Sequence, residues 1–136
     1  MQPTTARDFR RAALQRLDAA EDILLILRRT LEAQYIGGYS VECSLKSLIL
    51  ELTPAPKRQS MLQRLTHGAK FHRPEVLLGE LHDLGIMLTP ELAKRMRRFD
   101  WTTDLRYETG RKDTGETNAL LKTARAIYAW VELQMP

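Results

Sequence analysis

The chain has 136 residues, 43% of them hydrophobic and 28% charged, with a formal net charge of +4. This length predicts a single domain over residues 1–136, large enough to bury a core without disulfides or metal. The single cysteine excludes an intrachain disulfide. The longest apolar run, Ile23–Leu27, is far shorter than the ~18–20 residues of a membrane-spanning helix. Because Met1–Thr5 also lacks the order of a signal peptide, we expect a cytoplasmic protein without membrane contact.

The N-terminal third predicts one long helix that begins near Thr5 and runs to about Arg29. Its apolar residues recur at alternating spacings of four and three, which places them on one face of a helix. They are Ala13, Leu17, Ala20, Leu24, Leu27 and Leu31. We expect a bend or break between Thr30 and Tyr35.

A second long helix is predicted from Glu32 to Leu52, where the following prolines end it. The pair Gly37-Gly38 lies inside this span, and each glycine costs about 1 kcal/mol relative to alanine in a helix interior. A helix tolerates such a pair where another backbone passes close by. In the alternative interpretation the pair marks the break, and the helix starts at Gly38.

The rest of the chain predicts shorter helices separated by turns. Proline in the first turn starts two of them, and Thr89 is a typical N-cap. Residues 102–115 are polar and glycine-containing, which predicts a loop with room for one helical turn. The predicted helices are a short one over Arg58–Thr66, a third main helix from Pro74 to Gly85, a fourth from Thr89 to near Trp101, and a last one from about Thr114 to near Met135.

No segment shows the period-two alternation of a half-buried strand. The predicted fold class is therefore all-α: an antiparallel up-and-down bundle of four main helices plus one or two short helices.

Two stretches concentrate positive charge. Residues 52–74 contain five lysines and arginines and no acid, and residues 94–98 contain four bases. Such stretches can contact phosphates, although a solvated helix face is the more ordinary interpretation.

The most unusual stretch of the second helix carries polar residues among small and apolar ones. Glu42 and Lys46 are four residues apart, so they lie on one helix face, with Tyr39 one turn upstream. This stripe predicts either the lining of a pocket or a structural ion-pair network. The neighbouring Cys43 is interpreted as a small buried hydrophobe.

The stretch Gly38–Lys46 resembles the GY-x-x-E-x-x-LK signature of the HEPN family, named for nucleotide binding in higher eukaryotes and prokaryotes. The segment Trp101–Tyr107 resembles the family's arginine-tyrosine pair before the final helix, at Arg106 and Tyr107. His72 resembles the histidine that often opens the third helix. The resemblance extends over nearly the whole chain, from about residue 8 to 134.

The resemblance implies an up-and-down helical bundle that commonly dimerises. Many HEPN domains are ribonucleases that use an arginine followed, after four to six residues, by a histidine. Others pair with a minimal nucleotidyltransferase in toxin–antitoxin or defence systems. Here no histidine follows Arg106, since the last one in the chain is His82.

The leading hypothesis is therefore a non-catalytic HEPN-type module that binds a nucleotide or a nucleotidyltransferase partner and forms a homodimer. The alternatives are a divergent ribonuclease toxin and a purely structural homodimer. We predict no catalytic residue, metal or cofactor, and expect Arg106 to meet Glu42 or a phosphate. The predicted binding residues are Tyr39, Glu42, Lys46, His72, Arg106 and Tyr107.

Overall fold

The computed structural model describes residues 2–136, and all regular structure in that range is helical, which confirms the predicted all-α bundle. Short 3-10 turns connect several of the α-helices. The α-helices are α1 (Ala6–Asp22), α2 (Thr30–Leu52), α3 (Arg58–His67), α4 (Pro74–Asp83), α5 (Pro90–Arg97) and α6 (Thr114–Gln134). The 3-10 turns cover Ala55–Lys57, Ala69–His72 and Thr103–Tyr107.

The first helix ends differently from the prediction. After α1 the chain widens into a π-helical turn over Ile23–Leu27, and Arg28 then adopts a left-handed conformation with φ of 58°. The predicted break is present, but it lies at Arg28–Arg29, before Thr30. Leu27, predicted to be part of the buried stripe, is 59% exposed, because the wider turn rotates it out of register with Leu24.

Helix α2 runs without interruption through the glycine pair, so the alternative start at Gly38 is wrong. Most of its residues are buried between α1, α4 and α6. The pair makes room for side chains of other elements. A Cβ atom on Gly38 would lie 2.0 Å from the indole nitrogen of Trp101, and one on Gly37 would lie 2.4 Å from a methyl group of Leu121.

Trp101 therefore fills the space that a side chain at Gly38 would take. Its indole N–H donates to the backbone oxygen of Tyr35 at 3.2 Å, and the ring is 4% exposed. Trp101 belongs to a small core cluster with Leu24 and Leu105, separate from the large cluster around α2. Its contact with α2 fastens the segment between α5 and α6 to the bundle.

Helix α5 ends at Arg97, four residues before the predicted end near Trp101. The backbone N–H groups of Arg98 and Phe99 bond three residues back, to Arg95 and Met96, which tightens the last turn. The chain can then reach α2 and insert Trp101. The predicted loop contains the single helical turn Thr103–Tyr107, and the last helix matches its prediction closely.

We predict that Gly38→Ala lowers the free energy of unfolding by about 1–3 kcal/mol, because the added methyl group overlaps the buried Trp101 ring. The matched control is Gly79→Ala in α4, where nothing lies within 4 Å of the new Cβ. That change should stabilise by up to about 1 kcal/mol. Urea unfolding followed by circular dichroism measures both; equal effects would contradict the close approach.

Candidate functional site

The polar stripe of α2 forms a buried ion pair. The Lys46 Nζ atom lies 2.9 Å from Glu42 Oε2, and the two side chains are only 5% and 6% exposed. Glu42 is thus buried. Two buried charges are tolerated when each neutralises the other, since an isolated charge there would carry a desolvation penalty of several kcal/mol.

His72 joins this pair from another element. Its Nδ1 atom lies 3.2 Å from the same Glu42 Oε2, and its side chain is 43% exposed. An ionised carboxylate only accepts, so Nδ1 carries the proton and donates it. Glu42 Oε1 has no hydrogen-bond partner in residues 2–136. We define Glu42, Lys46 and His72 as the buried triad; it holds the turn before α4 against α2.

Tyr39 lies just upstream of Glu42 on α2 and is half-buried. Its ring meets Tyr35 and Trp101 edge-on, with centroids 5.1 and 5.3 Å apart, and its hydroxyl accepts from Tyr35 at 3.3 Å. Burial, with a further contribution from the Tyr35 hydroxyl, raises the pKa of Tyr39 well above its ordinary value. Tyr39 therefore stays neutral at physiological pH and serves as packing rather than as a base.

Arg106 and Tyr107 lie on the turn Thr103–Tyr107, which Leu105 anchors in the small core cluster. Both are exposed: Tyr107 is 75% exposed, and the Arg106 guanidinium lies 4.9 Å from the centroid of its ring. Within the described chain no ion pair at 4.0 Å or less joins Arg106 to Glu42, so that expected contact is wrong. Glu42 is occupied by Lys46 and His72 instead.

A second exposed surface is apolar. Leu25, Ile26 and Leu27 are 71%, 73% and 59% exposed, and we call these three residues the hydrophobic tip. Leu24, which precedes the tip, and Leu105, which precedes the Arg106–Tyr107 pair, belong to the same small core cluster. The loop after Tyr107 is also joined to the end of the tip, because the Arg111 side chain donates to the Arg28 backbone oxygen at 2.7 Å.

A groove of about 510 Å³ lies between α5 and α6, and sequence analysis did not predict it. Of its lining residues, Arg95 and Arg98 belong to the basic stretch of residues 94–98. The polar Gln34 within the largely apolar helix α2 is a further, weak sequence signal of this groove. The groove is lined by Gln34, Arg95, Arg98, Phe99, Asp100, Lys112, Glu116, Ala119, Leu120, Lys122 and Thr123.

The HEPN domain family model matches residues 6–134, nearly the whole chain, so the protein belongs to the HEPN domain family. Among curated proteins none matches it, and no solved structure does. Across residues 2–136 no helix is both long and apolar enough to span a bilayer. The same residues contain no cluster of three or more potential metal ligands.

We predict that Lys46→Met lowers the free energy of unfolding by about 3–5 kcal/mol, because it leaves the Glu42 carboxylate buried without a counter-charge. The double variant Glu42→Gln/Lys46→Met should recover most of that loss. Denaturant unfolding of the two single variants and the double variant measures the coupling. Additive effects would show that the two side chains do not form a buried pair.

Burial raises the pKa of the Cys43 thiol from 9.0 to about 11. The thiol is then almost wholly protonated at pH 8, so iodoacetamide should label it about 10- to 100-fold more slowly than glutathione. Labelling at the glutathione rate would contradict this.

The raised pKa of the Cys43 thiol also makes the free energy of unfolding depend on pH. Because the folded pKa is raised, the thiol's contribution to the free energy of unfolding is complete below its ordinary pKa of 9.0 and is lost as pH rises toward the folded value of about 11. The stability difference between the wild type and Cys43→Ala should therefore shrink above pH 9.0.

Proposed function

We propose that this HEPN-domain protein is a single-domain binding module without ribonuclease activity, and that it binds a protein partner through the Arg106–Tyr107 pair and the hydrophobic tip. The observation that carries the proposal is the exposure of Tyr107, stacked with Arg106, together with the exposed apolar turn Leu25–Leu27. Tyrosine and arginine are the side chains that most often dominate the energy of protein interfaces.

The shape of this surface supports a macromolecular partner. Small ligands bind in concave cavities that enclose most of their surface. Tyr107, Leu25 and Ile26 are each at least 71% exposed, which describes a projecting surface rather than a cavity. Exposed apolar residues grouped in this way mark interaction sites.

The remaining predicted residues support a structural interpretation of the α2 stripe. Glu42 and Lys46 neutralise each other away from solvent, and His72 closes the triad. The lack of any histidine after Arg106 further argues against the ribonuclease mechanism that the family resemblance implies.

The partner that the family resemblance suggests is a minimal nucleotidyltransferase, acting with this chain in a two-component toxin–antitoxin or defence system in the cytoplasm. A second copy of this chain is the other candidate partner for this surface, because an exposed apolar turn is also typical of homodimer interfaces.

We predict that Tyr107→Ala and Ile26→Ala each weaken binding of a nucleotidyltransferase encoded beside this gene by at least about tenfold. The matched control is Met87→Ala, which removes an equally exposed apolar side chain (72%) from the α4–α5 loop and should change affinity less than twofold. Isothermal titration calorimetry measures the affinities.

Sedimentation of the chain alone distinguishes a nucleotidyltransferase partner from a second copy of this chain. A dimer that Ile26→Ala dissociates would assign the hydrophobic tip to self-association. A nucleotidyltransferase complex unaffected by both substitutions would contradict the proposed surface, and cleavage of total RNA abolished by Arg106→Ala would overturn the non-catalytic assignment.

A further inference from the structure

We propose that the loop after Tyr107 holds the hydrophobic tip and the Arg106–Tyr107 pair in one fixed arrangement, with Arg111 and Thr30 as positioning residues of the partner surface. We define residues 108–113 as the strap. The inference rests on the proposed function, because it explains how two segments that are distant in the sequence form one binding surface.

Two hydrogen bonds join the strap to the corner between α1 and α2. The Arg111 side chain donates to the Arg28 backbone oxygen at 2.7 Å, and the Lys112 backbone N–H donates to Thr30 Oγ1 at 2.9 Å. The two bonds leave neighbouring residues of the strap and end two residues apart on the corner. Together they fix the orientation of the strap as well as its distance from the corner, which a single bond would not do.

The corner needs support from outside its own helices. Arg28 has a φ of 58°, a left-handed conformation that residues with a side chain rarely adopt. Such a conformation persists only where the surrounding structure holds it. The backbone N–H groups of Arg28 and Arg29 also share one acceptor, the backbone oxygen of Ile23, so the corner is weakly bonded within itself. The strap supplies part of the missing support.

The strap is itself fixed at both ends. Just before it, Leu105 is buried in the same small core cluster as Leu24, the residue that precedes the hydrophobic tip. At its other end, Asp113 Oδ2 accepts from the Glu116 N–H at 2.9 Å, and the Asp113 backbone oxygen accepts from Thr117 Oγ1 at 2.8 Å. A segment that is held at both ends and bonded between them has little freedom to move relative to the corner.

This rigidity favours binding, because a surface that is ordered before the encounter loses less conformational entropy when the partner docks. Thr30 separates this effect from direct contact with the partner. Its side chain is buried, with only 2% exposed, so a substitution there acts through position alone. An effect at the exposed Arg111 would not by itself distinguish positioning from contact.

Hydrogen–deuterium exchange of the free chain tests whether the strap holds the corner. Arg111→Ala and Thr30→Val should each speed exchange in residues 23–28 at least about threefold, because each removes one of the two bonds. The control Lys112→Met removes the pair between Lys112 Nζ and Glu108 but keeps the backbone N–H that Thr30 accepts. It should leave residues 23–28 unchanged. Unchanged exchange in both Arg111→Ala and Thr30→Val would overturn the inference.

Calorimetry with a nucleotidyltransferase encoded beside this gene tests whether the strap positions the partner surface. Arg111→Ala and Thr30→Val should each weaken binding about 3- to 10-fold, and Lys112→Met less than about twofold. Arg111→Lys should retain most of the affinity, because an ammonium group can also donate to the Arg28 oxygen. Weaker binding by Arg111→Ala with wild-type affinity in Thr30→Val would contradict positioning and would assign Arg111 to direct contact.

The same measurements separate failure of this inference from failure of the partner surface. If Tyr107→Ala and Ile26→Ala weaken binding while Arg111→Ala and Thr30→Val do not, the partner surface stands and the positioning role is wrong. If Tyr107→Ala and Ile26→Ala bind like the wild type, the proposed surface is wrong. Exchange in the free chain needs no partner, so it still decides whether the strap holds the corner.

Discussion

The burial of two opposite charges in α2 is the constraint on which the arrangement of this protein depends. Helix α2 is enclosed by α1, α4 and α6, so Glu42 and Lys46 have no access to water and must satisfy each other. His72 contacts the same carboxylate oxygen as Lys46, which links the turn before α4 to α2. The charged part of the family signature is thus explained by packing.

Helix α2 also positions the segment after α5, because Gly38 has no side chain. Gly38 leaves a space that Trp101 fills, and the indole hydrogen bond to Tyr35 locks the segment after α5 onto α2. From that anchor the chain turns through Thr103–Tyr107 and displays Arg106 and Tyr107 to solvent. Gly38 and Tyr39 of the signature both contact Trp101, which anchors the segment that displays Arg106 and Tyr107.

Sequence periodicity predicted the helices well, because buried stripes at spacings of three and four recur in every long element. It did not predict the π-helical turn that exposes Leu27, since a wider turn leaves no distinct pattern in apolar spacing. It predicted the Glu42–Lys46 pair, because a lysine at i, i+4 is visible in the sequence. It did not predict that His72 rather than Arg106 contacts Glu42, because that choice depends on tertiary packing. The groove between α5 and α6 escaped prediction for the same reason, because its walls come from separate parts of the chain.

We propose a division of roles in which the signature stripe of α2 is structural and the exposed surface around Tyr107 binds the partner. Hydrogen–deuterium exchange of the chain with and without a nucleotidyltransferase encoded beside its gene tests this most directly. We expect slower exchange in residues 23–28 and 103–112 on binding, with no change in residues 40–48. Altered exchange in residues 40–48, with the two exposed segments unaffected, would contradict it.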